Sequence, residues 1–271
     1  MCLFSGFIAG CSLVVPRPSV QTIAPERLDY AGYQKTIAAY ACDGLVRYKK
    51  LKTDTRELDE FIISLANVGP RSTPNLFIDE KSTLAFWINV YNAASLRAAV
   101  EKYPTSSVQT RWENFEEHYR VQVDGKELTL AQIAGFARQA GHNDPRIELA
   151  LTLPAKGSPK FSSEVYQASQ INQQLDQALS RALEDPNQVT IDHGTKTLRL
   201  GSAIYRVQDK FIQMYCRKYK TTDASIINVL ADYGNETQRR RLNAAIGYGV
   251  AEVPFDWSLN EKEEPPCSLQ P

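Results

Sequence analysis

Residues 84–100 read LAFWINVYNAASLRAAV, a run of seventeen positions whose single charge is Arg97. Leu84, Phe86, Trp87, Ile88, Val90 and Tyr91 leave no polar side wide enough for a surface helix. The stretch therefore predicts a central helix packed on all faces, and Asp79 stands where a cap would start it. Asn89 and Asn92 are costly in such surroundings unless their amide donors and acceptors are satisfied. They either cap the backbone of a neighbouring loop or, with Trp87 and Tyr91, face a ligand in a groove.

Towards the N-terminus, Ile37, Tyr40, Ala41, Leu45 and Tyr48 recur at spacings of three and four and predict a helix from Tyr30 that loosens at Gly44. Leu58, Phe61, Ile62 and Leu65 predict another, broken by Gly69-Pro70. Towards the C-terminus, alternation from Tyr119 to Leu130 around Asp124-Gly125 predicts a β-hairpin. Ile147 to Leu153, stopped by Pro154, reads as a short buried strand. A helix over 170–183 precedes a second hairpin, 189–191 with 197–200, turning at His193-Gly194. Helices resume over 204–215, 225–233 and 238–246. The fold class is α+β: one mostly helical domain over 29–262, with a small antiparallel component of two hairpins and a short central strand. Residues 263–271 are expected to form a flexible tail.

The chain has 271 residues, and its 31 Lys and Arg balance its 31 Asp and Glu, so no overall field favours nucleic acid. Five cysteines without a C-x-x-C pair make neither a disulfide scaffold nor a zinc ribbon. His118, His142 and His193 lack metal-ligand spacing and read as surface or turn residues; no metal or cofactor is expected. Cys42 and Cys216 read as packing residues, and Cys267 can pair only if the tail folds back.

Residues 3–11, LFSGFIAGC, are too short to span a bilayer. Ile8-Ala9-Gly10-Cys11 resembles a bacterial lipobox. That resemblance implies a signal peptide over 1–10, a diacylglyceryl group on Cys11 and a tether over 11–28, which carries Pro16, Pro18 and Pro25. Ser12 is not the Asp of an inner-membrane retention signal, so in a Gram-negative cell the implied site is the outer membrane, facing the periplasm. No Lys or Arg precedes the apolar stretch, and the competing reading is a buried N-terminal strand or helix.

Several motifs in order resemble a bacterial and plant family known as domain of unknown function 547. They are Asp43-Gly44-Leu45-Val46-Arg47-Tyr48, the central Phe86-Trp87-Ile88-Asn89-Val90-Tyr91-Asn92-Ala93, Val123-Asp124-Gly125-Lys126, Asp144-Pro145-Arg146, and Pro254-Phe255-Asp256-Trp257-Ser258-Leu259-Asn260. In that family the stretch after the third of these resembles DPRIHFALNCASKSCPPL, whose histidine and cysteines imply thiol-hydrolase-like chemistry. Here the segment aligns without a gap, with Glu148 at the histidine, Leu153 at the first cysteine and Ser158 at the second. Ala134 and Gly135 replace an acidic residue and a histidine upstream. The resemblance thus implies the fold but not the thiol activity.

Two expectations follow. The first is a cell-envelope lipoprotein with a non-catalytic binding or accessory domain, attached to the membrane by lipid and meeting an envelope protein or a small molecule. The second is an envelope hydrolase of peptide, amide or ester bonds built around Ser158, Lys156 and Glu148. It requires Ser158 to be open in a cleft with a base in hydrogen-bond reach.

Overall fold

The computed structural model describes residues 28–108 and 115–263. The expected signal peptide and most of the tether fall outside them, as do Cys11, Cys267 and all but the first residue of the tail. The fold is α+β and mostly helical.

The central helix, α4 after the shorter α1 (Ala31–Tyr40), α2 (Tyr48–Leu51) and α3 (Arg56–Ser64), runs Glu80–Lys102. Asp79 starts it through a capping box, accepting from the Ser82 amide at 2.7 Å. Its residues from Leu84 to Leu96 are all buried, as an all-round apolar sequence requires.

The helix expected to run on from Tyr30 through Gly44 ends instead at Tyr40. A short hairpin follows, β1 (Ala41–Cys42) with β2 (Leu45–Val46). Asp43 and Gly44 both take positive φ there, which suits a tight hairpin turn and stops a helix. Cys42, expected as a packing residue, is half-buried and disulfide-bonded.

After α5 (Phe115–His118) comes the expected hairpin of β3 (Arg120–Val123) and β4 (Lys126–Thr129), turning at Asp124-Gly125. An unexpected α6 (Leu130–Ala140) follows, capped by Thr129, and packs along α4.

The expected central strand over 147–153 is absent. Asp144 caps a 3-10 helix, Pro145–Leu149, and Pro145 at its first turn pre-sets the backbone for helical geometry. The run is apolar because it passes between two cores: Ile147 packs in one and Leu149 in the other.

The expected helix is α7 (Ile171–Ala182), and the second hairpin is β5 (Val189–Asp192) with β6 (Thr197–Leu200). The helical stretch expected over 204–215 breaks into α8 (Ser202–Tyr205) and α9 (Gln208–Tyr219). It is followed by α10 (Ile226–Tyr233) and α11 (Glu236–Asn243). A last strand, β7 (Gly249–Glu252), joins β6 in parallel, so the β component is not wholly antiparallel.

The larger core centres on α4 and α6, the smaller on α7, α10 and β6. Residues 253–262 return across the larger core as a strap. The Val46 amide donates to the Asn260 carbonyl at 2.9 Å, and the buried Tyr48 hydroxyl donates to Asn260 Oδ1 at 2.7 Å. Among the described residues no helix is long and apolar enough to cross a membrane.

Candidate functional site

The polar residues of α4 explain how the loop over 150–166 is fixed. Asn92 Nδ2 donates to the Ala150 carbonyl at 2.8 Å, while its Oδ1 accepts from the Thr152 amide at 2.9 Å. Asn89 clamps Tyr166 in the same two-way manner, both contacts at 2.8 Å, and Ser95 Oγ donates to the Thr152 carbonyl at 2.9 Å. These three side chains sit at spacings of three on one line of the helix, and each reaches the backbone of the loop. Asn89 and Asn92 thus serve as backbone caps for this loop. Trp87 is buried as well, packed between Phe86 and Phe136 with ring centroids 4.9 Å from each.

On its other side the loop is bound by the strap. The Lys156 amide donates to Ser258 and the Gly157 amide to Asp256, at 2.9 and 2.8 Å. A Cβ on Gly157 would stand 2.6 Å from the Asp256 nitrogen, so only glycine permits this approach. Ser258 hydrogen bonds and, more weakly, the Lys156 charge hold the Asp256 carboxyl below its usual range.

Ser158 is 4% exposed, and its Oγ accepts from the Leu153 amide at 2.8 Å, closing the turn. Lys156 is exposed, and no hydrogen bond joins it to Ser158. Glu148 is gripped by Arg138, whose Nε and one terminal nitrogen donate at 2.6 and 2.9 Å. The structure thus brings Ser158 and Glu148 to one cavity and leaves Lys156 outside it.

That cavity, of about 390 Å³, opens where the two cores meet. Its floor carries Tyr91, only 2% exposed, whose hydroxyl donates to Glu116 Oε1 at 2.7 Å. Burial, and next to it the Glu116 charge, push the Tyr91 phenol well above its ordinary range, so it remains a donor at any physiological pH. Glu148, with its partner Arg138, completes the floor. Leu151 and Leu153 give one apolar wall and Val207 the other. The rim holds Arg206 and Lys210, both exposed, and Trp257, 38% exposed with its ring 4.4 Å from that of Phe255. Arg206 has one long ion pair, 3.7 Å to Glu252, and Lys210 has none among the described residues.

Of the residues singled out in the sequence, Tyr91, Glu148 and Ser158 line this cavity. Glu116, Arg138, Arg206 and Lys210 were missed. Glu116, Arg138 and the Arg206–Lys210 pair come from separate stretches of the chain, and no local spacing joins the three; Phe255 and Trp257 stood in a quoted motif but without an assigned place. A wider cleft of about 850 Å³ lies beside α1 and residues 164–170, but among the described residues its one charged side chain is Glu164, and it borders Leu28, the first described residue. The histidines lie on the surface: His142 meets Glu80 at 2.7 Å, and His193 meets the Tyr248 hydroxyl at 3.0 Å. Among the described residues no group of three or more His, Cys, Asp or Glu is placed to hold a metal ion.

An α+β protein of two joined cores with such a cavity can be set beside known proteins. Residues 76–181 match the sequence model of the family described as "Protein of unknown function, DUF547". This DUF547-like stretch runs from before α4 to the end of α7. It includes the floor of the cavity and omits the strap and the rim helices. No curated protein and no solved structure matches the chain.

Proposed function

We propose that this protein is a cell-envelope lipoprotein, held at the membrane through Cys11, whose folded part binds a small molecule or an envelope protein in the cavity under the strap. In a Gram-negative cell it would sit on the outer membrane facing the periplasm. The observation that carries the binding reading is the state of the groups replacing the family's histidine and cysteine. Glu148 is committed to Arg138, and Ser158 to the Leu153 amide. A serine nucleophile needs a base within reach and an exposed hydroxyl; Ser158 is 4% exposed, and among the described residues its Oγ is bonded to the Leu153 amide, which favours the binding reading. The cavity instead presents what recognition uses: apolar walls, an aromatic pair and charges near solvent.

Cys42 supports the envelope assignment, because disulfides persist mainly in oxidising compartments. Lipidation and disulfide formation are exclusive fates of one thiol. If Cys11 carries lipid and Cys2 leaves with the signal peptide, and with Cys216 free, Cys267 is the thiol left in the mature chain, and its pairing with Cys42 is part of this proposal. Peptide mapping without reductant, on protein taken from its own envelope, should therefore link Cys42 to Cys267 and find a diacylglyceryl mass on Cys11. A Cys42–Cys11 link, or membrane fractionation unchanged in Cys11→Ser, would overturn the anchor. Native mass spectrometry of the same preparation tests the binding half, which expects a co-purifying ligand or protein.

A further inference from the structure

The charges of the cavity under the strap are separated. On the floor Arg138 neutralises Glu148 through its two-pronged contact, and one negative charge is left over, that of Glu116. Its single side-chain hydrogen bond among the described residues comes from the Tyr91 hydroxyl. At the rim two cations stand near solvent, Lys210 without an ion pair among the described residues and Arg206 with a long one. The rest of the lining mixes apolar side chains, Leu151, Leu153 and Phe255 among them, with the polar Ser158 and Ser202.

An occupant that fills this space removes water from Glu116. A carboxylate loses more by desolvation than one phenol returns, so the occupant must bring a donor, best a charged one, to the floor. The rim favours the opposite charge, because an anion there meets two cations that give up little to receive it. The volume, near the lower end for ligand sites, limits the occupant to a small molecule.

Resting on the binding reading above, we infer that the cavity takes a zwitterion of short-peptide type, its amine toward Glu116, its carboxylate toward Arg206 and Lys210, and an apolar side chain against the strap.

The test is calorimetric titration of the full-length chain with three forms of one dipeptide: glycyl-phenylalanine, its N-acetyl derivative and its C-terminal amide. Free glycyl-phenylalanine should bind about tenfold more tightly than either blocked form, the usual value of one charge-assisted contact. Glu116→Gln should erase the difference between the free and N-acetyl forms and keep that between the free and amide forms. Arg206→Ala with Lys210→Ala should do the reverse. Circular dichroism of each variant checks that the chain is folded. Equal affinity for all three forms overturns the zwitterion and leaves the cavity a binding site. No heat from any of them at millimolar concentration overturns the zwitterion, and together with the absence of any co-purifying ligand or protein it overturns the binding reading too.

Discussion

On the floor of the cavity Glu148 is held by Arg138 and Ser158 by the Leu153 amide, and among the described residues the Glu116 charge alone is left open, met only by the Tyr91 hydroxyl. On the rim Lys210 makes no ion pair among the described residues, and Arg206 makes a long one. The floor belongs to the larger core and to the loop bolted to α4, while the rim cations come from the end of α8 and the start of α9 at the smaller core. Polar groups buried beside a core are retained when they are satisfied internally, whereas those at a junction can remain open to something else. The difference predicts that changes at Glu148, Ser158 and the loop bolted to α4 act on stability, and changes at Glu116 and at the rim on binding.

The largest effect should come from Asn92→Ala. It strands the Ala150 carbonyl and the Thr152 amide, both buried, and opens a small void in α4. A loss of about 3 kcal/mol is expected, read from the urea midpoint. If Asn92→Ala is as stable as the parent chain, the loop is not held by α4 and the distinction between floor and rim falls.

Ser158→Ala comes next. It leaves the Leu153 amide without its acceptor in a partly buried turn, and about 1–2 kcal/mol should be lost. Hydrolytic activity toward ester or peptide substrates, assayed beside it, is expected to be the same in parent and variant. A loss of turnover with unchanged stability would return Ser158 to the role of nucleophile.

Much of this was legible in the sequence, and the misses have physical causes. The central helix, its Asp79 cap and the Asp124-Gly125 hairpin were read correctly because period and turn chemistry are local properties. Asp43-Gly44 carries the same turn dipeptide, yet the spacing of Ile37, Tyr40 and Leu45 imitated a helix across it. The run from Ile147 to Leu153 looked like a strand because burial on both sides erases periodicity, and only the tertiary placement between two cores accounts for it. Asn89 and Asn92 stood out as costly, but whether backbone or ligand satisfied them depended on a loop some sixty to eighty residues away. Arg138 and Glu148 meet across a turn between α6 and the 3-10 helix, and Arg206 and Lys210 join them only through long-range packing.

A smaller effect concerns the strap and pH. The Asp256 carboxyl has a lowered pKa in the folded chain, chiefly from Ser258. Its contribution to stability is therefore present above the unfolded value, about pH 4, and is lost as pH falls through the folded value. In Asp256→Asn, which still offers an oxygen to the Ser258 amide, the parent should be modestly more stable at neutral pH and the two curves should converge below about pH 4. Curves that stay parallel down to pH 2 would mean that the Asp256 charge plays no part in holding the strap.

The smallest expected change in stability is at the rim. Arg206→Ala with Lys210→Ala removes two exposed cations whose only ion pair among the described residues is the 3.7 Å contact with Glu252, so unfolding free energy should move by no more than about 0.5 kcal/mol. That near-zero value matters because the same pair is expected to govern affinity for an anionic group. Side chains that cost nothing to remove from the fold, yet lie together at the mouth of a cavity, are free to be used by a ligand. A loss of 2 kcal/mol or more would make Arg206 and Lys210 structural, like the floor, and the separation of stability from binding across this cavity would not hold.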